Sequence, residues 1–300
     1  MIDKTPSKLK KLAYRIEYIL LKIVFKLFNF LGLRFASFLT SLVAIIIGPF
    51  TPASFLAFRN IKKAMPKLSN FQVVRIVIGM WRNLGSYIAE YSSVYDKEVD
   101  IFEFAKVSEK SRKILEEIKK DKKGAILFSG HIGNWEVGLR VMKELDIPVK
   151  TVYRPLNNKP ADKFTNNFRK QIGVDMIAKG GRGAIQIVRE LKKGTKIVML
   201  VDQRLSNGIT VPFFGQKAQT TDAVGVFAMK YKIPVYPVRV IRKDMYSNFE
   251  FSVEEKLKIK AGANLKKDVV KVTKQVNKKL EEWIKEFPEQ WFWVHNRWKL

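Results

Sequence analysis

From Gly124 onward the chain alternates short β-branched or apolar runs with helical stretches, and few folds accept that rhythm. Residues 125–129, 149–153, 196–201, 235–241 and 249–253 read as strands. Stretches near 134–145, 160–171, 183–192 and 222–231 read as helices. Alternation at this spacing predicts an α/β architecture: a central mixed sheet flanked by helices. Ahead of it, residues up to about Tyr95 read as helical, with a break at Pro66, and 109–123 as a charged, solvated helix. Behind it, 265–287 reads as a basic amphipathic helix ending before Pro288, followed by a tail rich in tryptophan. A chain of 300 residues is long enough to bury a full core of this kind. No internal repeat or low-complexity linker divides it. The organisation expected is therefore an N-terminal helical region, 1–60, and an α/β domain, 61–300, that includes the last helix and the tail.

Lys and Arg number 56 against 28 Asp and Glu, a formal net charge of +28. Such a balance implies an anionic partner: nucleic acid, an acidic protein or an anionic membrane surface. A hydrophobic content of 47% and an aromatic content of 12% exclude a disordered basic tail. With no Cys there is neither a disulfide nor a thiolate zinc site, and two His argue against a histidine-rich metal centre. The N-terminal segment carries Lys4, Lys8, Lys10, Lys11 and Arg15 against Asp3. Lys22 and Lys26, four apart, share one face of an amphipathic helix. From Phe35 to Phe58 there is no charge, nominally enough to span a bilayer at roughly 20 residues, although Gly48, Pro49 and Pro52 interrupt it. No clean cleavage site follows a short apolar core, so a removed signal peptide is not expected. The segment reads as retained membrane-embedded or interfacial helices, with a buried helical hairpin as the alternative. Basic residues beside apolar helices favour anionic headgroups by about 1 kcal/mol per charge.

His131 and Glu136 stand at the mouth of the first predicted strand, in Ser129-Gly-His-Ile-Gly-Asn-Trp-Glu136. On one continuous helix, five residues would leave the two side chains about 140° apart. They can meet only if His131 lies in the preceding loop and Glu136 in the first helical turn. Gly130 and Gly133 would permit such a loop, and Asn134 is a plausible N-cap. A carboxylate on one ring nitrogen fixes the tautomer and leaves the other free to take a proton. A structural histidine with an unrelated capping Glu satisfies the same spacing. No Gly-x-Ser-x-Gly elbow, no Cys and no Gly-x4-Gly-Lys-Ser/Thr loop accompanies the pair. Gly180-Gly181-Arg182-Gly183 reads as a simple turn into a helix. A histidine–carboxylate dyad without a nucleophile in the chain suggests a substrate hydroxyl as nucleophile.

The 129–136 block resembles the His-x4-Asp/Glu signature of glycerolipid-type acyltransferases. Its Gly-Asn-Trp-Glu variant resembles the late acyltransferases of lipid A biosynthesis, the lauroyl/myristoyl transferase family. Further blocks match in order: Tyr153-Arg154-Pro155, Asp202-Gln203 followed by Pro212-Phe213-Phe214-Gly215, and Pro288-Glu289-Gln290-Trp291 through His295 to Arg297-Trp298. Arg59-Asn60 to Pro66 is similar to an early family segment. The resemblance covers nearly the whole chain. It implies a glycerolipid acyltransferase-like fold with N-terminal membrane-associated helices. His131 would be the general base and Glu136 its orienting partner. Asn134, Arg154, Asp202, Gln203 and Arg204 would contact substrate: Arg154 through a phosphate, Arg204 through an anionic group, Asp202 through the acceptor sugar unless it assists the base instead, while Asn134 would cap its helix or do both. Thr220 and Thr221 read at least as readily as helix caps, and His295 reads as structural in an aromatic tail. The lysine content is unusual in degree, and Asn157 stands where a charge would be unsurprising.

The activity implied is transfer of a fatty acyl chain from a thioester to a hydroxyl of a lipid A precursor. Acyl carrier protein is the expected donor, its acidity suited to a basic surface, with coenzyme A thioester as the other choice. No cofactor or metal is expected, and no nucleic acid partner. The partners are a membrane glycolipid and an anionic membrane surface. The place is the bacterial inner (cytoplasmic) membrane, with the active site facing the cytoplasm. An acyl-CoA-dependent phosphatidylinositol mannoside or lysophospholipid acyltransferase is the alternative.

Overall fold

The computed structural model describes residues 7–299, so Asp3 and Lys4 of the basic N-terminal segment lie outside the described residues. Four helices lead the chain: α1 (Lys8–Leu31), α2 (Leu33–Ile47), α3 (Pro52–Ala64) and α4 (Asn70–Val94). Gly32, with φ of +75°, separates α1 from α2. Pro52 opens α3 at its first position, where a missing N–H costs nothing. The uncharged run is therefore two helices meeting at a corner. Overlapping it, Leu33–Phe50 is long and apolar enough to cross a membrane by length and composition. Ser69 starts α4 with a reciprocal cap: its hydroxyl accepts from the Gln72 N–H, and the Gln72 side chain accepts from the Ser69 N–H.

The α/β body follows in the order β1 (Ala105–Val107), α5 (Glu109–Lys120), β2 (Ala125–Ser129), α6 (Trp135–Glu144), β3 (Val149–Tyr153), α7 (Lys159–Gln171), β4 (Asp175–Ala178), α8 (Gly181–Lys192) and β5 (Lys196–Leu200). It continues with β6 (Ile209–Phe213), β7 (Gln216–Thr220), α9 (Ala223–Tyr231), β8 (Val235–Arg242), β9 (Phe249–Val253) and α10 (Leu265–Glu286). Seven strands form one sheet in the order β1-β9-β8-β2-β5-β3-β4. From β8 to β4 every pairing is parallel; β9 runs antiparallel to β8 and parallel to β1, so the sheet is mixed as expected. β6 and β7 form a separate antiparallel hairpin.

Every residue of β2 is buried, because both faces of the sheet are covered. Ile126 and Phe128 point into a core shared with α8, α9 and α10, while Ala125 and Leu127 point into one shared with α5 and α6. The strands not anticipated from sequence share a cause. β1 is three residues long, and β4 is a short edge strand with Asp175 exposed. The β6–β7 turn uses Phe214-Gly215, both at positive φ, where Asn-Gly or Asp-Gly would have announced a hairpin.

Candidate active site

β2, β5, β3 and β4 lie side by side and parallel, so their carboxyl ends deliver His131, Asp202, Arg154 and Lys179 to one edge of the sheet. Ligands of open α/β sheets collect at such edges. His131 sits in the loop between β2 and α6. That loop turns at Gly133, whose φ is +59° and whose N–H donates to the Gln290 carbonyl at 3.1 Å. A Cβ at Gly133 would lie 2.0 Å from the Val240 carbonyl oxygen, so only glycine fits there.

The carboxylate that meets the His131 ring belongs to Asp202. The ring Nδ1 lies 2.7 Å from Asp202 Oδ1, and the His131 backbone N–H donates to Oδ2 at 2.8 Å. The Trp291 indole N–H also donates to Oδ2, at 2.7 Å. Burial alone would raise the Asp202 carboxyl; the His131 charge and these hydrogen bonds outweigh it and hold the group at about 2. An ionised Asp202 accepts the Nδ1 proton, so Nε2 is the ring's proton acceptor. Among the described residues, Nε2 has one neighbour within hydrogen-bond reach, the Gln203 side-chain nitrogen at 3.4 Å. The low Asp202 value has a consequence for stability. The folded group sits near 2 against an ordinary 3.8, so its contribution is complete above about pH 4 and is lost as pH falls through 2. The amount is on the order of 2 kcal/mol. Denaturant midpoints measured from pH 5 to pH 2 should fall more steeply for the wild type than for Asp202→Asn.

The expected pairing of His131 with Glu136 is not formed. Glu136 is 1% exposed and turns into a buried cluster beneath the loop. It pairs with the Arg169 guanidinium, whose Nε donates at 3.1 Å, and accepts from the Tyr95 hydroxyl. The Tyr87 hydroxyl and Trp135 indole N–H complete its shell at 3.3 and 3.1 Å. Burial would raise this carboxyl too, but Arg169 holds it below the ordinary carboxylate value. The physical reason is the helix. α6 starts at Trp135, so Glu136 points back across its first turn toward α4 and α7 while the His131 ring turns toward β5.

Asn134 takes the capping role expected of it, and Arg204 turns away from the site. Asn134 is fully buried; its side-chain Oδ1 caps α6 by accepting from the Glu136 N–H at 3.2 Å, and its Nδ2 donates to Glu90 Oε2 at 2.8 Å. Glu90 in turn is gripped by Arg242, Ser247 and Ser37, so Asn134 anchors the loop to a buried ion pair instead of facing substrate. Arg204 donates its Nε to the Lys299 carbonyl and its backbone N–H to the His295 ring, which turns it onto the tail and away from the site. Thr221 accepts from the Ala223 N–H at the start of α9, and Thr220 accepts from Arg297.

His131, Gln203, Arg154 and Lys179 border a cavity of about 390 Å³. Its walls include Val152, Ile187, Met199, Val201, Ala223 and Phe227 from β3, α8, the end of β5 and α9. Burial and the neighbouring Arg154 lower the Lys179 ammonium. Among the described residues neither cation has a carboxylate at ion-pair distance. Apolar walls with one histidine and two unneutralised cations suit a long chain carrying a polar, anionic group.

A family description of the bacterial lipid A biosynthesis acyltransferases matches residues 3–300. The chain belongs to that family. Among curated relatives, the lipid A biosynthesis palmitoleoyltransferase of Escherichia coli (strain K12) is 28% identical over 181 residues, 59% of this chain and 56% of that protein. The lipid A biosynthesis acyltransferase of Shigella flexneri matches over the same extent and identity. The chain thus spans little more than half the length of the relatives it matches.

In this family member, the C-terminal tail is the underside of the histidine loop. Phe292 N–H donates to the His131 carbonyl at 3.1 Å, and Ile132 bridges to Trp291. Asn60 Nδ2 donates to the Trp293 and His295 carbonyls, both at 2.8 Å, and Arg297 is fully buried with donors to Gln219 O and Thr220 Oγ1. Sequence reasoning does not single out Trp291 or Arg169 as site residues. In the sequence Trp291 is marked only as part of a C-terminal block in a tryptophan-rich tail, and Arg169 only as one cation of a predicted helix.

Proposed function

We propose that the protein is a membrane-associated O-acyltransferase that moves a fatty acyl chain from a thioester to a hydroxyl of a lipid A precursor. The observation that carries this reading is a histidine whose Nδ1 is held by a buried aspartate and whose Nε2 opens on an apolar cavity. No hydroxyl of the chain is hydrogen-bonded to Nε2 among the described residues, which leaves the nucleophile to the substrate. In the step proposed, Nε2 takes the acceptor hydroxyl's proton as its oxygen bonds to the thioester carbon. The C–S bond then breaks, and the leaving thiolate takes that proton back from the imidazolium. The ionised Asp202 stabilises the imidazolium between the two events. The Gln203 amide, beside Nε2, is placed to donate to the oxyanion that forms on the carbonyl oxygen.

Membrane association is supported by a broad apolar surface on the leading helices. Phe30, Phe50 and Phe55 are 86%, 88% and 84% exposed, and Phe71 and Val74 of α4 are exposed too. Isolated exposed apolar residues are ordinary; many of them on leading helices that also carry Lys22 and Lys26 fit an anionic bilayer surface at the cytoplasmic face of a bacterial inner membrane. The net charge supports acyl carrier protein as donor through electrostatic steering. The test offers purified protein in detergent an acyl carrier protein thioester, a coenzyme A thioester and a lipid A precursor, with product mass as readout. The expected product is heavier than the precursor by one acyl residue and is absent with His131→Ala. Turnover by His131→Ala at the wild-type rate would overturn the mechanism.

A further inference from the structure

A second cavity of about 320 Å³ lies against the first, and Tyr87, Tyr153, Arg154 and Arg169 line both. Its other apolar walls are Leu21 and Phe25 of α1, Ile88 and Tyr91 of α4, and Leu156 after β3. Ile88 and Leu156 are 46% and 49% exposed, so the cavity is a groove open at the surface. Leu20 and Val24, next to Leu21 and Phe25 in the sequence of α1, are exposed as well. The floor of the groove is fixed. Phe25 packs on Phe164 and Phe168 of α7, and Asn158 donates to the Tyr14 carbonyl and to Glu17 of α1.

We propose that this groove holds an acyl chain that the lipid acceptor already carries, with an acceptor phosphate at Arg154 and the reacting hydroxyl beside His131. The proposal rests on the acyltransferase reading. Direct transfer without a covalent intermediate requires donor and acceptor to be bound together, so two apolar chains need two sites. The first cavity, closed by α8 and α9, receives the donor's chain next to Nε2. The groove is open at the surface and walled by α1, one of the leading helices. Arg154 stands in the shared wall, where a single cation reaches an anionic group lying between a chain in the groove and a hydroxyl in the cavity. α1 thereby supplies one wall of a binding site as well as apolar surface.

The test uses Ile88→Glu and Leu156→Glu separately in the full chain, in detergent micelles. Both positions are exposed, so the fold should tolerate the change. Steady-state assays use a phosphorylated disaccharide acceptor carrying acyl chains, its fully deacylated counterpart, and one thioester donor. A carboxylate set against a docked chain should raise KM for the acylated acceptor by roughly tenfold or more. KM for the donor and turnover of the deacylated acceptor should stay within about twofold of wild type. A matching rise in donor KM would assign the groove to the donor instead. Unchanged KM for the acylated acceptor, or an equal loss with the deacylated one, would overturn the proposal outright. Failure of the acyltransferase reading looks different, because the wild type itself would then transfer nothing.

Discussion

Asp202→Asn is expected to lower kcat by about three to four orders of magnitude while leaving KM for either substrate within a few-fold. The amide has the size of the carboxylate and can still meet the His131 ring. Its one oxygen can still accept the His131 and Trp291 N–H groups that converge on Oδ2, but its NH₂ then replaces Oδ1 and faces Nδ1 as a donor. The ring then presents its N–H, not its lone pair, to the cavity. An imidazolium formed during turnover would also lose its buried counter-charge. His131→Ala should reach the same low rate, and the double variant should be no slower, because the two residues act as one unit. Initial rates of acyl transfer decide the matter. An Asp202→Asn enzyme within tenfold of wild type, beside a Glu136→Gln enzyme as slow as His131→Ala, would return the dyad to Glu136.

Glu136→Ala should act mainly on stability, with a loss of about 3–5 kcal/mol. The deletion leaves the largely buried Arg169 guanidinium without its counter-charge and deprives Tyr95 and Tyr87 of their acceptor. At about 2–4 °C per kcal/mol for a chain of this size, the melting temperature should fall on the order of 10 °C. The paired change Glu136→Leu with Arg169→Leu should recover much of that loss, because no unpaired charge then stays buried. Thermal unfolding of wild type and both variants is the measurement. If the single and paired variants lose equal stability, the ion pair is not what the cluster depends on. Residual activity is a second readout: Glu136→Ala assayed well below its melting temperature should retain far more turnover than Asp202→Asn.

Much of the architecture is legible along the chain. The run Ala125–Ser129 is apolar nearly throughout because it is covered on both faces, and that is a local pattern. The break at Pro66, the charged α5 and the basic amphipathic α10 are likewise written in residue order. What escapes such a reading is short or marked by unusual residues: β1 and β4 at the sheet edges, and a hairpin turned by Phe214-Gly215.

By itself, the sequence determined the α/β class, the family blocks and the presence of His131, Asp202 and Glu136 at strand ends or helix starts. Tertiary structure alone decided which carboxylate meets the histidine. Glu136 is five residues away along the chain and Asp202 is 71, yet the adjacency of β2 and β5 in the sheet brings the distant one to Nδ1. The direction of α6 meanwhile carries the near one toward Arg169. Sequence spacing constrains contacts within one element, but the histidine lies between elements, and there strand order sets the distance.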